Sequence, residues 1–224
     1  MNINTYETLI SNLPVRQQCS TTKRKTWLKA ENEISWLKQL NDKIFGEIPT
    51  LTISRQDIFE TKEPREIIIK TIYWGYTGGM RGNHFVNILK HIDTIENAFS
   101  PLRDDPPKTD FNSLTQIFKK VPGLGLSTYS KLLYFFEISF NKNPCLILDQ
   151  RLIDVFKSNS FDDFNQLSNI RYSNANKNYL EFLKLVSTVA KKIETQEENI
   201  ELFLFTFGNN LKAKNMKDTK ISNM

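Results

Sequence analysis

The sequence predicts an all-α protein, built as one substantial domain or two intimate lobes. Three observations carry that reading. Apolar residues recur at helical spacing in segment after segment, over 27–45, 84–99, 179–193 and 198–207. Glycines and prolines gather mostly between those segments. At 224 residues, with 39% hydrophobic content that includes 16 Phe, 7 Tyr and 3 Trp, the chain can bury a sizeable core.

Residues 1–13 predict a short helix, with Tyr6, Leu9, Ile10 and Leu13 at helical spacing before Pro14 stops it. Residues 15–25 predict a polar loop ending in a basic cluster, which either meets a polyanion or is simply solvated. Residues 27–45 predict one amphipathic helix with Trp27, Leu28, Ile34, Leu37, Leu40 and Phe45 turned inward. A breaker-rich link over 46–52 leads to Ser54, an N-cap for the next helix. The run EIIIKTIYWGY over 66–76 is rich enough in β-branched residues for a buried strand, but its helical neighbours favour a buried helix.

Four of the eight glycines fall within residues 75–82, beside Trp74, Tyr76 and Arg81. The GK[ST] ending of a Walker loop is missing, and no GxGxxG follows a clear strand. What remains is a loop that brings an aromatic and an arginine to a binding cleft, or a plain turn. Residues 84–99 predict a helix with Phe85, Ile88, Leu89, Ile92, Ile95 and Phe99 on one side. His84 and His91 lie seven apart without a third ligand, so capping or surface roles are expected and no metal. Residues 100–110 predict a proline-rich exposed linker and candidate hinge. Helices follow over 150–157, 179–193 and 198–207, the last closed by Gly208 as a C-cap. Between them, 158–178 predicts loops around short helical pieces.

The expected organisation is a helical lobe over 1–100, a second over 101–211, and a disordered basic tail over 212–224. That tail holds four lysines against one aspartate, whereas the other 211 residues hold 26 basic and 24 acidic side chains. The overall charge of +5 therefore permits a nucleic-acid partner without demanding one. Cys19 and Cys145 form no CxxC pair, which excludes a four-thiolate cluster within the chain and predicts no disulfide framework. No apolar run reaches bilayer length and the N-terminus lacks a signal layout, so a cytoplasmic protein with no membrane contact is expected.

The most informative stretch is IFKKVPGLGLSTYSKLLYFFEISFNKNPCLILD, residues 117–149. An apolar-patterned helix enters Val121-Pro122-Gly123-Leu124-Gly125, and an aromatic-rich helix leaves it. Glycines at alternate positions let the backbone turn tightly with its amides uncovered, and the next helix begins with a positive dipole end. This is a phosphate grip, a helix-hairpin-helix, or an ordinary helix connection. Ser127 and Lys131 stand four apart on one face of the second helix. A partly desolvated lysine there loses proton affinity and becomes a nucleophile. Asp149 ends the apolar run Cys145-Leu146-Ile147-Leu148 and caps the next helix, where a carboxylate can stabilise positive charge on a sugar or activate an attacking group. The plain alternative is a surface lysine and a simple cap.

Hairpin, lysine-bearing helix and apolar run ending in Asp, in that order, resemble the helix-hairpin-helix DNA glycosylase superfamily. KVPGLGLSTYSKLLYFF, CLILDQRLIDVF and the upstream YWGYTGGMRG are similar to the 8-oxoguanine-glycosylase-like proteins of bacterial genomes, some of which sit in anti-phage defence operons. The resemblance spans roughly residues 67–208. It implies a two-lobed all-α fold with DNA in the cleft, and a base extruded into a pocket because its glycosidic bond is out of reach within the duplex. It implies Lys131 as the amine that attacks the sugar and forms a Schiff base with β-lyase chemistry, and Asp149 as the essential carboxylate. Gly123, Gly125 and Ser127 are implied at the DNA backbone, and Trp74, Arg81 and Phe207 at an oxidised purine such as 8-oxoguanine. No cofactor is implied beyond a monovalent cation at the hairpin, and the iron–sulfur cluster of some relatives is excluded by the cysteine count. A monomer is implied, with DNA and a defence-operon protein as partners. One departure stands out: Ser127 occupies the point at the helix start where bifunctional members carry their lysine and monofunctional adenine-excising members tolerate serine. Monofunctional excision, excision of a modified nucleobase, an inactive nucleic-acid-binding module and a purely protein-binding helical domain remain the alternatives.

Overall fold

The computed structural model describes residues 1–104 and 110–211, with backbone alone for 100–104. The tail 212–224 and residues 105–109 of the expected linker lie outside the described residues. The described chain is mostly helical, as the apolar periodicity predicts. The described residues divide into two compact units, one within residues 16–140 and the other made of residues 1–15 together with 141–211.

The first helix, α1 (Glu7–Ser11), follows a single 3-10 turn at Ile3–Tyr6. Ile3 and Ile10 are fully buried, whereas Leu9 is 44% exposed, so the apolar stripe is narrower than its spacing predicts. In the central unit, the expected polar loop over 15–25 is instead partly a strand. β1 (Cys19–Lys23) pairs antiparallel with β2 (Thr50–Ser54), in register from Cys19 opposite Ser54 to Lys23 opposite Thr50. Thr21 and Thr52 share a hydrogen bond of 2.8 Å across the ribbon. Threonine suits a half-exposed pleated surface, but a lone five-residue strand gains its ladder only from a partner 27 residues further on, which local pattern cannot reveal.

The single helix expected over 27–45 is two, α2 (Leu28–Glu33) and α3 (Leu37–Phe45). Ile34 leaves helical geometry (φ −119°, ψ 103°), and the break lets both Ile34 and Leu37 turn inward while Leu28 stays exposed. α4 (Arg55–Phe59) starts with a capping box: Ser54 Oγ accepts the Asp57 N–H and Asp57 Oδ2 accepts the Ser54 N–H. The β-branched run is the helix α5 (Pro64–Gly75), opened by proline and buried on nearly all sides.

The helix expected over 84–99 also breaks, at His91, into α6 (His84–Lys90) and α7 (Ile92–Asp104). His91 (φ −112°, ψ 21°) turns its Nδ1 to the Asn87 carbonyl at 2.8 Å. α7 carries helix through residue 104, where a linker beginning at residue 100 is expected. α8 (Phe111–Phe118) is capped by Asp110, and α9 (Leu126–Phe135), buried but for Ser127, packs against α5.

The other unit contains α10 (Gln150–Lys157), α11 (Ala175–Lys192) and α12 (Glu197–Phe207), with a 3-10 segment at Asp162–Leu167. The N-terminal residues are sewn into it. Asn199 Nδ2 donates to the Ile10 carbonyl at 2.9 Å, Tyr6 packs on Phe203 at 5.1 Å, and the terminal ammonium donates to the Ser160 carbonyl. Gly208 does end α12, but not as a left-handed cap, since its φ is −55°. A Cβ there would lie 2.5 Å from the Leu204 carbonyl oxygen and 2.7 Å from Val155 Cγ2, so close packing on α10 is what selects glycine.

Candidate active site

The two helices and the glycine turn between them, called the hairpin below, lie where the sequence places them. α8 ends, residues 119–125 turn, and Gly125 stands at the N-cap of α9. Gly123 has φ +87°, a conformation open to glycine and costly for other residues. Its missing side chain is required a second way, because a Cβ would lie 2.8 Å from His84 Cα and 2.7 Å from His84 Nδ1. The start of α6 is thus seated on the hairpin. The Gly125 N–H donates to the Gly123 carbonyl at 3.2 Å, while the Gly125 carbonyl accepts from Thr128 and Tyr129. The amides that a helix leaves without internal acceptors are those of its first turn, here Leu126 and Ser127.

Lys131 lies one turn on from Ser127 and is only 6% exposed. Its Nζ donates to the Ser127 carbonyl at 2.7 Å and sits 5.4 Å from the centroid of the Tyr76 ring. The Tyr76 hydroxyl in turn shares a hydrogen bond of 2.7 Å with Thr128 Oγ1, one residue after Ser127. The lysine stem runs across Gly75: a Cβ there would stand 2.9 Å from Lys131 Cδ and 3.0 Å from Cε. The glycine-rich stretch therefore has a local purpose in the end of α5. It clears a channel for the Lys131 side chain and supplies the aromatic face under its ammonium.

Asp149 belongs to the other unit. The four residues before it, Cys145 to Leu148, are all at least 98% buried, and burial pushes the Cys145 thiol pKa up. Tyr179 anchors this run by donating to the Leu146 carbonyl at 2.7 Å. Asp149 then caps α10, with Oδ1 accepting both the Arg151 N–H (2.9 Å) and the Leu152 N–H (3.2 Å). Oδ2 carries neither cap bond.

The expected base-contacting residues fall in different settings. Trp74 is 7% exposed inside α5, its Nε1 donating to the Gln18 carbonyl at 3.3 Å and its ring edge-on to Phe135. Arg81 is exposed in the loop between α5 and α6. Phe207 is half-buried at the end of α12, 5.7 Å from Phe203. Gly123, Gly125, Ser127 and Lys131 are thus one contiguous turn and helix, joined by Gly75 and Tyr76; Asp149 and Phe207 lie in the second unit. Sequence reasoning missed Gly75, Tyr76 and Thr128 as the surroundings of Lys131, and His84 as the seat of the hairpin. Their separation of some 39 to 56 positions from the residues they touch leaves no local signal.

Among the described residues, no group of three His, Cys, Asp or Glu side chains could hold a metal ion. No described helix is long and apolar enough to cross a membrane. A family model described as "Putative 8-oxoguanine DNA glycosylase OGG-like protein" matches residues 13–205. No curated protein and no solved structure matches the chain significantly.

Proposed function

The chain belongs to this OGG-like family, and from that premise we propose that it excises an oxidised purine such as 8-oxoguanine from DNA through a lysine Schiff base. One observation carries the reading: a nearly buried lysine on α9, its ammonium held one turn past a glycine hairpin by a carbonyl and an aromatic face. Burying a lysine head costs several kcal/mol, in the region of ~2–5, unless the site compensates it. Leucine or methionine would fill α9 without that cost, and this is the ground on which the reading assigns Lys131 a chemical role.

In this reading the hairpin grips a backbone phosphate through the first-turn amides of α9, which sets the adjoining sugar near Lys131. Nζ, once deprotonated, forms a bond to C1′ as the glycosidic C–N bond breaks, and the base leaves with the electron pair and takes up a proton. Sugar-ring opening yields the Schiff base. Loss of a C2′ proton then expels the 3′ phosphate, which is the lyase step. Asp149, as a carboxylate on the N-terminus of α10, supplies negative charge while positive charge builds on the sugar. A monovalent cation at the hairpin would use carbonyls that already accept from the turn, Val121 O from Leu124 N–H and Gly123 O from Gly125 N–H.

A second reading is excision by water without a covalent intermediate, with Asp149 activating that water. Ser127 in the first turn of α9, with its carbonyl holding the Lys131 ammonium, favours it. Borohydride reduction during reaction with duplexes carrying a panel of base lesions separates the two. A covalent product with the unsubstituted chain that is missing with Lys131→Gln supports the lyase; excised base without a covalent product supports the water route. DNA binding with no excision from any lesion would leave a binding module.

A further inference from the structure

Three segments of the central unit carry cations and no carboxylate: residues 23–29 (KRKTWLK), 77–84 (TGGMRGNH) and 119–131 (KKVPGLGLSTYSK). They are far apart in sequence, and the fold joins them. Trp27 is fully buried, stacked on Tyr73 at 4.3 Å and edge-on to Phe85 at 4.7 Å, which pins residues 23–29 against α6. Thr22 donates to the Thr77 carbonyl, and a Cβ on Gly79 would lie 3.1 Å from Thr26 Cγ2, so the glycine-rich loop rests on the same segment. The start of α6 then seats on Gly123 of the hairpin through His84.

The charges in 23–29 are not equivalent. Arg24 is consumed inside the unit, by Glu31 at 3.0 Å and Asp42 at 2.6 Å, with Asn41 bridging Glu31 to Tyr73. The other carboxylate of α2, Glu33, faces Lys90 at 4.0 Å. Lys25 and Lys29 stay exposed, four positions apart on either side of the buried Trp27. Lys29 Nζ is fixed by Asn83 Oδ1 at 2.7 Å, and Asn83 sits at the N-cap position of α6 without capping it. The bond sets the exposed Lys29 ammonium beside the start of α6, whose His84 rests on the hairpin, so both lysines stand where an external polyanion at the hairpin would meet them.

We propose that Lys25 and Lys29, locked to the hairpin through Trp27–Phe85 and His84–Gly123, extend the hairpin's phosphate grip into a continuous track along the backbone of duplex DNA. The track rests on the DNA-acting reading above and adds to it a second contact region distant in sequence from the hairpin. Arg24 is excluded from it, although sequence alone would count Arg24 with its neighbours.

The test is the salt dependence of duplex binding by the full chain, comparing Lys25→Gln/Lys29→Gln with a control of equal charge on α11, Lys177→Gln/Lys184→Gln. Each phosphate contact contributes about 0.9 to the slope of log affinity against log salt, so the track variant is expected to shallow that slope by about 2 with unchanged melting temperature. The control is expected to leave the slope in place. An unchanged slope in the track variant, or an equal loss in the control, overturns the track while base excision by the unsubstituted chain keeps the glycosylase reading standing. Absence of salt-dependent duplex binding by the unsubstituted chain overturns both, as would a larger slope change on RNA than on DNA overturn the assignment of the track to DNA.

Discussion

Lys131 and Asp149 are positioned by opposite means. Asp149 is held by its own neighbourhood: four buried residues lead to it and two amides of the helix it caps bind its Oδ1. Lys131 is held by a remote one, since the channel for its stem is Gly75 and the face beneath its ammonium is Tyr76. A local device tolerates change elsewhere in the chain, whereas a long-range one fails when any contributor is altered. The two residues should therefore respond differently to substitution.

The largest expected effect is on Lys131 itself: Lys131→Gln removes the borohydride-trapped product altogether, measured on denaturing gels. At the second position, Asp149→Asn keeps a good cap while removing the charge. It is expected to lower the excision rate by about 10²–10³ with stability within ~0.5 kcal/mol of the parent. Asp149→Ala loses the cap as well, and denaturant melts should show a further ~1 kcal/mol. If Asn and Ala destabilise equally, Asp149 is not acting as the cap seen here.

Gly75→Ala sharpens the contrast. The new methyl meets only the flexible stem of Lys131, and alanine favours the helix, so melting temperature should hold or rise. Trapping should nevertheless fall by about 10–10² because the amine is displaced. Gly123→Ala is expected to behave oppositely, losing ~1–3 kcal/mol of stability through its positive φ and the rigid His84 backbone, with weaker duplex binding. The smallest effect is at Asp110, the cap of α8. Hydrogen bonds from the Ser113 backbone and hydroxyl and the Asn112 backbone hold its pKa below the ordinary 3.8. The unfolded chain thus binds the proton more readily. The stability difference between parent and Asp110→Ala is expected in full at neutral pH, closing as pH falls through the carboxylate range.

Much of this architecture is legible from residues near one another. The Ser54 and Asp149 caps, the hairpin glycines, the helical nature of 66–76 and the helices toward the C-terminus follow from spacing and capping chemistry. The breaks at Ile34 and His91 do not, because a continuous apolar stripe serves two helices as well as one until the packing partner is known. The β1–β2 ribbon is hidden for a related reason: five threonine-rich residues become a strand only when a distant strand satisfies their backbone. Gly208 shows a right residue with a different reason, chosen for contact with Val155 rather than for a left-handed turn.

The sequence by itself determined the helical class, the glycine turn leading into a lysine-bearing helix, the capped carboxylate and the exclusion of a four-cysteine cluster. These rest on interactions within a few residues, where chain connectivity already enforces proximity. Only the tertiary structure decided that Lys131 is buried over Tyr76, that Gly75 makes room for it, and that Arg24 is spent internally while Lys25 and Lys29 face outward. Those facts depend on contacts between segments tens of residues apart: Trp74 against Phe135 joins α5 to α9, and shared burial of Trp27, Tyr73 and Phe85 joins residues 23–29 to α5 and α6, none of it set by a local pattern.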